Sequence, residues 1–190
     1  MNIGLFFGSF NPIHIGHLIV ANVMAETTDL DQVWFVVSPQ NPFKKNKQLL
    51  HEEDRYKLVE LAIQNNSKLR VTDVEFSMPR PSYTIDTLLK LQEKFPQHTF
   101  RLIIGGDNLG QFPNWKEHEK ILRDFGLYVY PRPNSEPSEL EHHPNVRMVE
   151  APLLDISATF IRAQIKAERT IRYMVSEEVE TYIRWKKFYL

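Results

Sequence analysis

The chain has 190 residues, enough for one well-buried domain and short for two. Lys and Arg number 23 against 24 Asp and Glu, a formal net charge of -1. That near-balance argues against a general nucleic-acid binder, whose grip on phosphate backbone needs a clear basic excess. There is no cysteine, so disulfides, thiolate metal sites and cysteine nucleophiles are excluded and a reducing compartment is permitted.

Apolar and polar patterns alternate along the chain. Asn2 to Phe7 is a short apolar run ending at Gly8, without the basic leader of a signal peptide. A helical stripe follows through Ile15, Leu18, Ile19 and Val23. Val33 to Val37 predicts a buried strand, bounded by Ser38-Pro39. His51 to Asn65 reads as a helix, and Leu69 to Phe76 alternates as a strand does. Thr84 to Phe95 predicts a helix and Phe100 to Ile104 a strand entering Gly105-Gly106. A short helix is expected over Lys116 to Leu122, then strands at Leu127 to Tyr130 and Val146 to Val149. Two helices close the chain, one opening near Ser157 and one capped by Ser176. Strands separated by helical segments imply right-handed crossovers and an α/β, Rossmann-like, doubly wound and mostly parallel sheet with helices on both faces. One domain over residues 1–190 is expected, its C-terminal helical part beginning near 157. No stretch approaches the ~18 apolar residues of a spanning helix, so a cytoplasmic protein without membrane contact is expected.

The segment Gly8 to His17, GSFNPIHIGH, carries the most chemistry. A strand runs into Gly8, Ser9 and Phe10, a turn follows at Asn11-Pro12, and a helix opens near His14. His14 and His17 share the first helical turn, with Gly16 between them offering bare backbone. Imidazoles at a helix N-terminus, where unpaired N–H groups already carry partial positive charge, favour a bound polyphosphate. Near the other end, DISATFIR places Ile156, Ser157 and Thr159 at a helix start, with Arg162 one turn on. That is a second cradle suited to phosphate oxygens.

GSFNPIHIGH resembles the (H/T)xGH element of the nucleotidyltransferase superfamily, and DISATFIR resembles its ISSTxIR element, with Ala158 replacing the second Ser. Class I aminoacyl-tRNA synthetases share the first element, but their lysine-rich second signature and room for a tRNA-binding domain are missing. Pro81 to Leu88 (PSYTIDTL), Gly105-Gly106-Asp107, Phe112 to Trp115 (FPNW) and Pro131-Arg132-Pro133 are similar to the nicotinate-nucleotide adenylyltransferase family. The likeness spans Ile3 to about Ile183. One departure stands out: the family's PPHK-like loop reads Pro42-Phe43-Lys44-Lys45, with Phe43 in place of the histidine.

The resemblance implies AMP transfer from ATP to nicotinate mononucleotide, giving deamido-NAD and pyrophosphate. It implies His14, His17 and Arg162 as catalytic groups. ATP would be held by Gly8, Ser9, Phe10, Gly16, Lys44, Gly105, Asp107, Ile156, Ser157 and Thr159. The acceptor would be held by Ser82, Tyr83, Thr84, Trp115 and Arg132. Mg²⁺ bound mainly through ATP phosphates is the implied cofactor, and no dedicated metal ligands are expected. His51, His98, His118, His142 and His143 show no ligand-like spacing. Association into homo-oligomers stays open. The alternatives are a related adenylyltransferase for phosphopantetheine or nicotinamide mononucleotide, and a non-catalytic nucleotide-binding module.

Overall fold

The structure, a computed structural model, describes residues 1–39, 49–133, 135–152 and 154–190. Its elements alternate as β1 (Asn2–Gly8), α1 (Ile15–Thr27), β2 (Gln32–Val37), α2 (Glu52–Ile63), β3 (Leu69–Thr72) and α3 (Thr84–Lys94). Then come β4 (Thr99–Gly105), α4 (Gly106–Leu109), α5 (His118–Asp124), β5 (Leu127–Tyr130), β6 (Val146–Met148), α6 (Ala158–Lys166) and α7 (Glu177–Lys186).

The six strands pair in the order β3-β2-β1-β4-β5-β6, and every pairing is parallel. Successive strand side chains feed opposite faces, and both faces are apolar because both are covered. Val33, Phe35 and Val37 of β2 pack in one core with residues of α1, α2, α6 and α7. Trp34 and Val36 pack in the other with residues of α3, α4 and α5. The strand order reverses between β1 and β4. In such sheets a crevice opens at the carboxyl ends of the strands flanking that reversal.

Two boundaries differ from the pattern in the sequence. The strand expected over Leu69 to Phe76 stops at Thr72, and Val74–Ser77 winds into a 3-10 turn. β3 is an edge strand paired only to β2, and that pairing ends at Val36 opposite Thr72. Thr72 Oγ1 then accepts from the Val74 N–H at 3.3 Å and turns the chain. The helix expected from Lys116 begins at His118 instead, because Glu117 adopts the left-handed conformation with φ 49°. No helix among the described residues is long and apolar enough to cross a membrane.

Candidate active site

β1 ends at Gly8, where an added Cβ would lie 2.8 Å from the Phe10 ring. Gly8 therefore makes room for Phe10, which is buried although its φ is +45°. Aromatic packing holds that uncommon backbone, with ring centroids 5.1 Å from His17 and 5.3 Å from Phe35. Asn11 follows, also buried. Its Oδ1 accepts from the Leu50 N–H at 3.2 Å and the Tyr189 hydroxyl at 2.8 Å.

His14 is the N-cap of α1 in extended conformation. Its backbone N–H donates to His17 Nδ1 at 3.3 Å. A neutral imidazole that accepts at Nδ1 carries its proton on Nε2, so His17 is a donor at its outer nitrogen. The two rings stack with centroids 3.7 Å apart. Burial pushes the His14 pKa down to about 4, and the positive charge of Arg132 adds to the effect. His17 is held well below the usual imidazole value by burial, by His14 and by Arg132. Both rings are thus neutral near pH 7, where the sequence alone leaves room for two cations. His14 Nδ1 is buried without a hydrogen-bond partner among the described residues. A buried polar atom left unpaired is costly, and a ligand that pairs with it recovers that cost.

One pocket is lined by Phe6, His14, Gly16, His17, Tyr130, Arg132, Ile156 and neighbours. It sits at the carboxyl ends of β1 and β5. The sequence resemblance assigns Arg132 to the acceptor, and the structure places it here, beside both histidines. Arg132 Nε stands 3.9 Å from Asp107 Oδ1 at the head of α4. Gly105 is confined for the same reason, since a Cβ there would lie 2.4 Å from Asp107 Oδ1. Gly16 is likewise confined by the His14 ring, at 3.1 Å. At the start of α1 the Ile15 N–H is taken by the Met174 carbonyl at 2.8 Å.

The second phosphate-type motif forms as a helix start. Ser157 caps α6, its Oγ accepting from the Phe160 N–H at 3.1 Å. Arg162 donates from Nη1 to the Asn11 carbonyl at 2.8 Å and from Nη2 to Thr159 Oγ1 at 3.2 Å. Arg162 and Thr159 therefore adjoin the loop before His14, and they line a neighbouring cleft with Leu50, Lys166 and Tyr189. Ser9 is exposed at the end of β1. Lys44 and the Pro42-Phe43-Lys44-Lys45 segment lie outside the described residues.

The PSYT segment runs into α3, with Tyr83 at the N-cap and Thr84 as first residue. The hydroxyl of Ser82 donates to Glu75 Oε2 at 3.0 Å. Its proton is therefore engaged, and the Asp86 N–H goes to the Tyr83 carbonyl at 3.0 Å. That leaves the backbone N–H groups of Thr84 and Ile85 as the free donors at this helix start, among the described residues. The FPNW segment lies alongside. Lys116, next to Trp115, holds Asp86 at 2.9 Å and stands 4.9 Å from the centre of the Tyr83 ring. Trp115 packs on Phe112, ring centroids 5.5 Å apart.

Three supporting residues escape the motif reading. Arg55 is completely buried. Its guanidinium donates to the carbonyls of Leu50 (2.9 Å), Ser9 (2.7 Å), Ser38 (2.7 Å) and Pro39 (3.0 Å). Burial lowers its pKa to about 10, so it stays charged and clamps the loops that leave β1 and β2. Spacing does signal it, since Arg55 precedes Leu58, Val59 and Ala62 on the apolar stripe of α2. Glu75 and Tyr189 carry no comparable signal.

Comparison with known proteins agrees with this geometry. A family model for cytidylyltransferase-like proteins matches residues 5–164. A probable nicotinate-nucleotide adenylyltransferase of Cytophaga hutchinsonii is 65% identical over 189 residues, covering 100% of this chain and 98% of that one. One from Flavobacterium johnsoniae is 48% identical, covering 100% and 99%. The fold matches Plasmodium falciparum nicotinic acid mononucleotide adenylyltransferase complexed with NaAD, with TM-score 0.83, 24% identity, and 99% and 97% of the two chains covered. With the stacked histidine pair at the sheet's reversal point and relatives this similar over their full length, the chain belongs to the nicotinate-nucleotide adenylyltransferases of the cytidylyltransferase-like family and is a nucleotidyltransferase.

Proposed function

We propose that the protein transfers AMP from ATP to nicotinate mononucleotide, releasing pyrophosphate and forming deamido-NAD. The observation that carries this reading is the neutral His14–His17 pair with Arg132 in one pocket at the strand ends. The acceptor phosphate attacks the α-phosphorus and the bond to the β-phosphate oxygen breaks. A phosphate monoester has a second pKa of about 6, so the nucleophile is already anionic and needs no general base. Catalysis is then positioning and charge stabilisation. His17 donates from Nε2, Gly16 presents backbone to the phosphates, and Arg132 supplies a fixed positive charge. Arg162, anchored on Asn11 and Thr159, adds donors from the α6 side. Asp107 and Ile156 border the nucleotide, and the first turn of α3 faces the acceptor's carboxylate.

Among the described residues no group of three His, Asp or Glu side chains could hold a metal. Such a donor set would suit a Mg²⁺ carried mainly by the nucleotide phosphates and its own waters, with the Asp107 carboxylate beside Arg132 as a protein oxygen nearby. Bound there, it would supply positive charge to offset the negative charge of the pyrophosphate. The test is pyrophosphate release from ATP with a panel of acceptor phosphates. Nicotinate mononucleotide should be the best acceptor, and better turnover with phosphopantetheine would overturn the assignment.

A further inference from the structure

Glu75 lies in the 3-10 turn after β3 and is 2% exposed. Among the described residues its carboxylate accepts from two hydroxyls and pairs with no cation. Oε1 takes Thr87 Oγ1 at 2.7 Å and Oε2 takes Ser82 Oγ at 3.0 Å. An ionised carboxylate only accepts and a hydroxyl can always donate, so both partners are matched to the charged form. Burial pushes the carboxyl's pKa up, and the hydroxyls oppose that shift.

The positions of the donors matter more than their number. Ser82 stands immediately before the N-cap Tyr83, and Thr87 lies in the first turn after it. One carboxylate therefore grips the start of α3 on both sides. Glu75 itself is held in the 3-10 turn that follows β3, where the Phe76 N–H donates to the Asp73 carbonyl at 2.8 Å and the Met78 N–H to the Glu75 carbonyl at 3.1 Å. The other charged side-chain anchors of this stretch, Arg80 to Glu52, Lys90 to Ser77 and Lys116 to Asp86, are exposed. Exposed contacts of this kind hold little.

We propose that Glu75 is the positioning residue for the acceptor: it fixes the first turn of α3, and hence its free N–H donors, against the 3-10 turn that follows β3. This rests on the reading of that helix start as the acceptor's carboxylate site. The ATP loop is held separately through Arg55 and Asn11, so loss of Glu75 leaves it in place.

The test compares wild type, Glu75→Gln, Ser82→Ala and the double variant, each with ATP and with whichever acceptor wild type uses best. Glu75→Gln keeps the volume and replaces an acceptor-only group by one that donates on one side. It should raise the acceptor KM by about tenfold, as expected for losing a charge-assisted hydrogen bond. The ATP KM should stay within about twofold, a split that general loosening of the fold would not give. Ser82→Ala, a small change on a half-buried loop that keeps the test open if Glu75→Gln folds poorly, should raise the acceptor KM by a smaller factor. Adding it to Glu75→Gln should change little, because both act through one contact. An unchanged acceptor KM, a parallel rise in the ATP KM, or independent multiplication of the two effects would overturn the proposal. Wild type that uses no acceptor carrying a carboxylate fails the functional reading first, and is told apart because it shows before any substitution is made.

Discussion

Tyr189, next to last in the chain, donates its hydroxyl to Asn11 Oδ1 at 2.8 Å across 178 positions of sequence. The loop leading to His14 is thereby tied to the C-terminal segment, and Arg162 ties the same residue through its carbonyl. Tyr189→Phe removes one hydroxyl and should cost about 1 kcal/mol of stability. It should also raise the ATP KM more than the acceptor KM. Arg162→Ala should raise the ATP KM further, since it removes donors on the nucleotide side as well as the tie. Steady-state kinetics with each substrate varied in turn checks both. An unchanged ATP dependence for Arg162→Ala would make DISATFIR only a helix start.

His17→Ala removes the Nε2 donor and should lower turnover by roughly 10²–10³ with the fold retained. Circular dichroism and a melting curve establish the fold, and single-turnover AMP transfer measures the chemistry. Near-normal turnover would take His17 out of the catalytic set.

The depressed histidine pKa values give a pH dependence of definite sign. An imidazole whose pKa falls from 6.5 to about 4 on folding binds protons more readily in the unfolded chain. This contribution to stability is fully present above about pH 6.5 and is lost progressively as pH falls toward about 4. The melting temperature of the unliganded protein should fall over that window, and less so in His14→Asn. ATP should reverse the shift, because a polyanion favours the imidazolium form. Binding near pH 6 should therefore take up protons. Calorimetry in buffers of different ionisation enthalpy measures this, and a heat independent of buffer would mean that both rings stay neutral.

Arg55→Met keeps an unbranched apolar stem but strips donors from four carbonyls, those of Ser9, Ser38, Pro39 and Leu50. Leaving such acceptors unpaired should cost about 3 kcal/mol or more. For a chain of this size that is a drop of roughly 6–12 °C in Tm. Differential scanning calorimetry reads it directly.

Acceptor choice has its own test. Nicotinate and nicotinamide mononucleotide differ by a carboxylate replaced with an amide. The first turn of α3 offers backbone donors, which suit two carboxylate oxygens and oppose an amide NH₂. The kcat/KM for the nicotinate compound should exceed that for the amide by a factor equivalent to a few kcal/mol. Trp115 can stack on either pyridinium ring. Trp115→Ala should weaken both acceptors by a similar factor and leave their ratio intact. Equal use of both acceptors by wild type would refute the reading of the helix start.

Much of this architecture is local and was legible in the residues. Runs such as Val33–Val37 are apolar on both faces because a covered parallel strand demands it, and Ser157 and Ser176 cap helices by short-range hydrogen bonds. The chemistry of GSFNPIHIGH is also local, since two histidines three apart on one helical turn meet in any fold. The tertiary structure decided what depends on contacts between distant segments. It brought Arg132 from the end of β5 into the histidine pocket and tied Arg162 to Asn11, 151 residues away. It also made the histidines neutral, because burial depends on what packs around a ring and not on its neighbours in sequence. Glu75 shows the limit most plainly. Alternation carried a strand through it, but the edge of the sheet ran out of partners at Thr72, and the released turn placed a carboxylate where two hydroxyls could reach it.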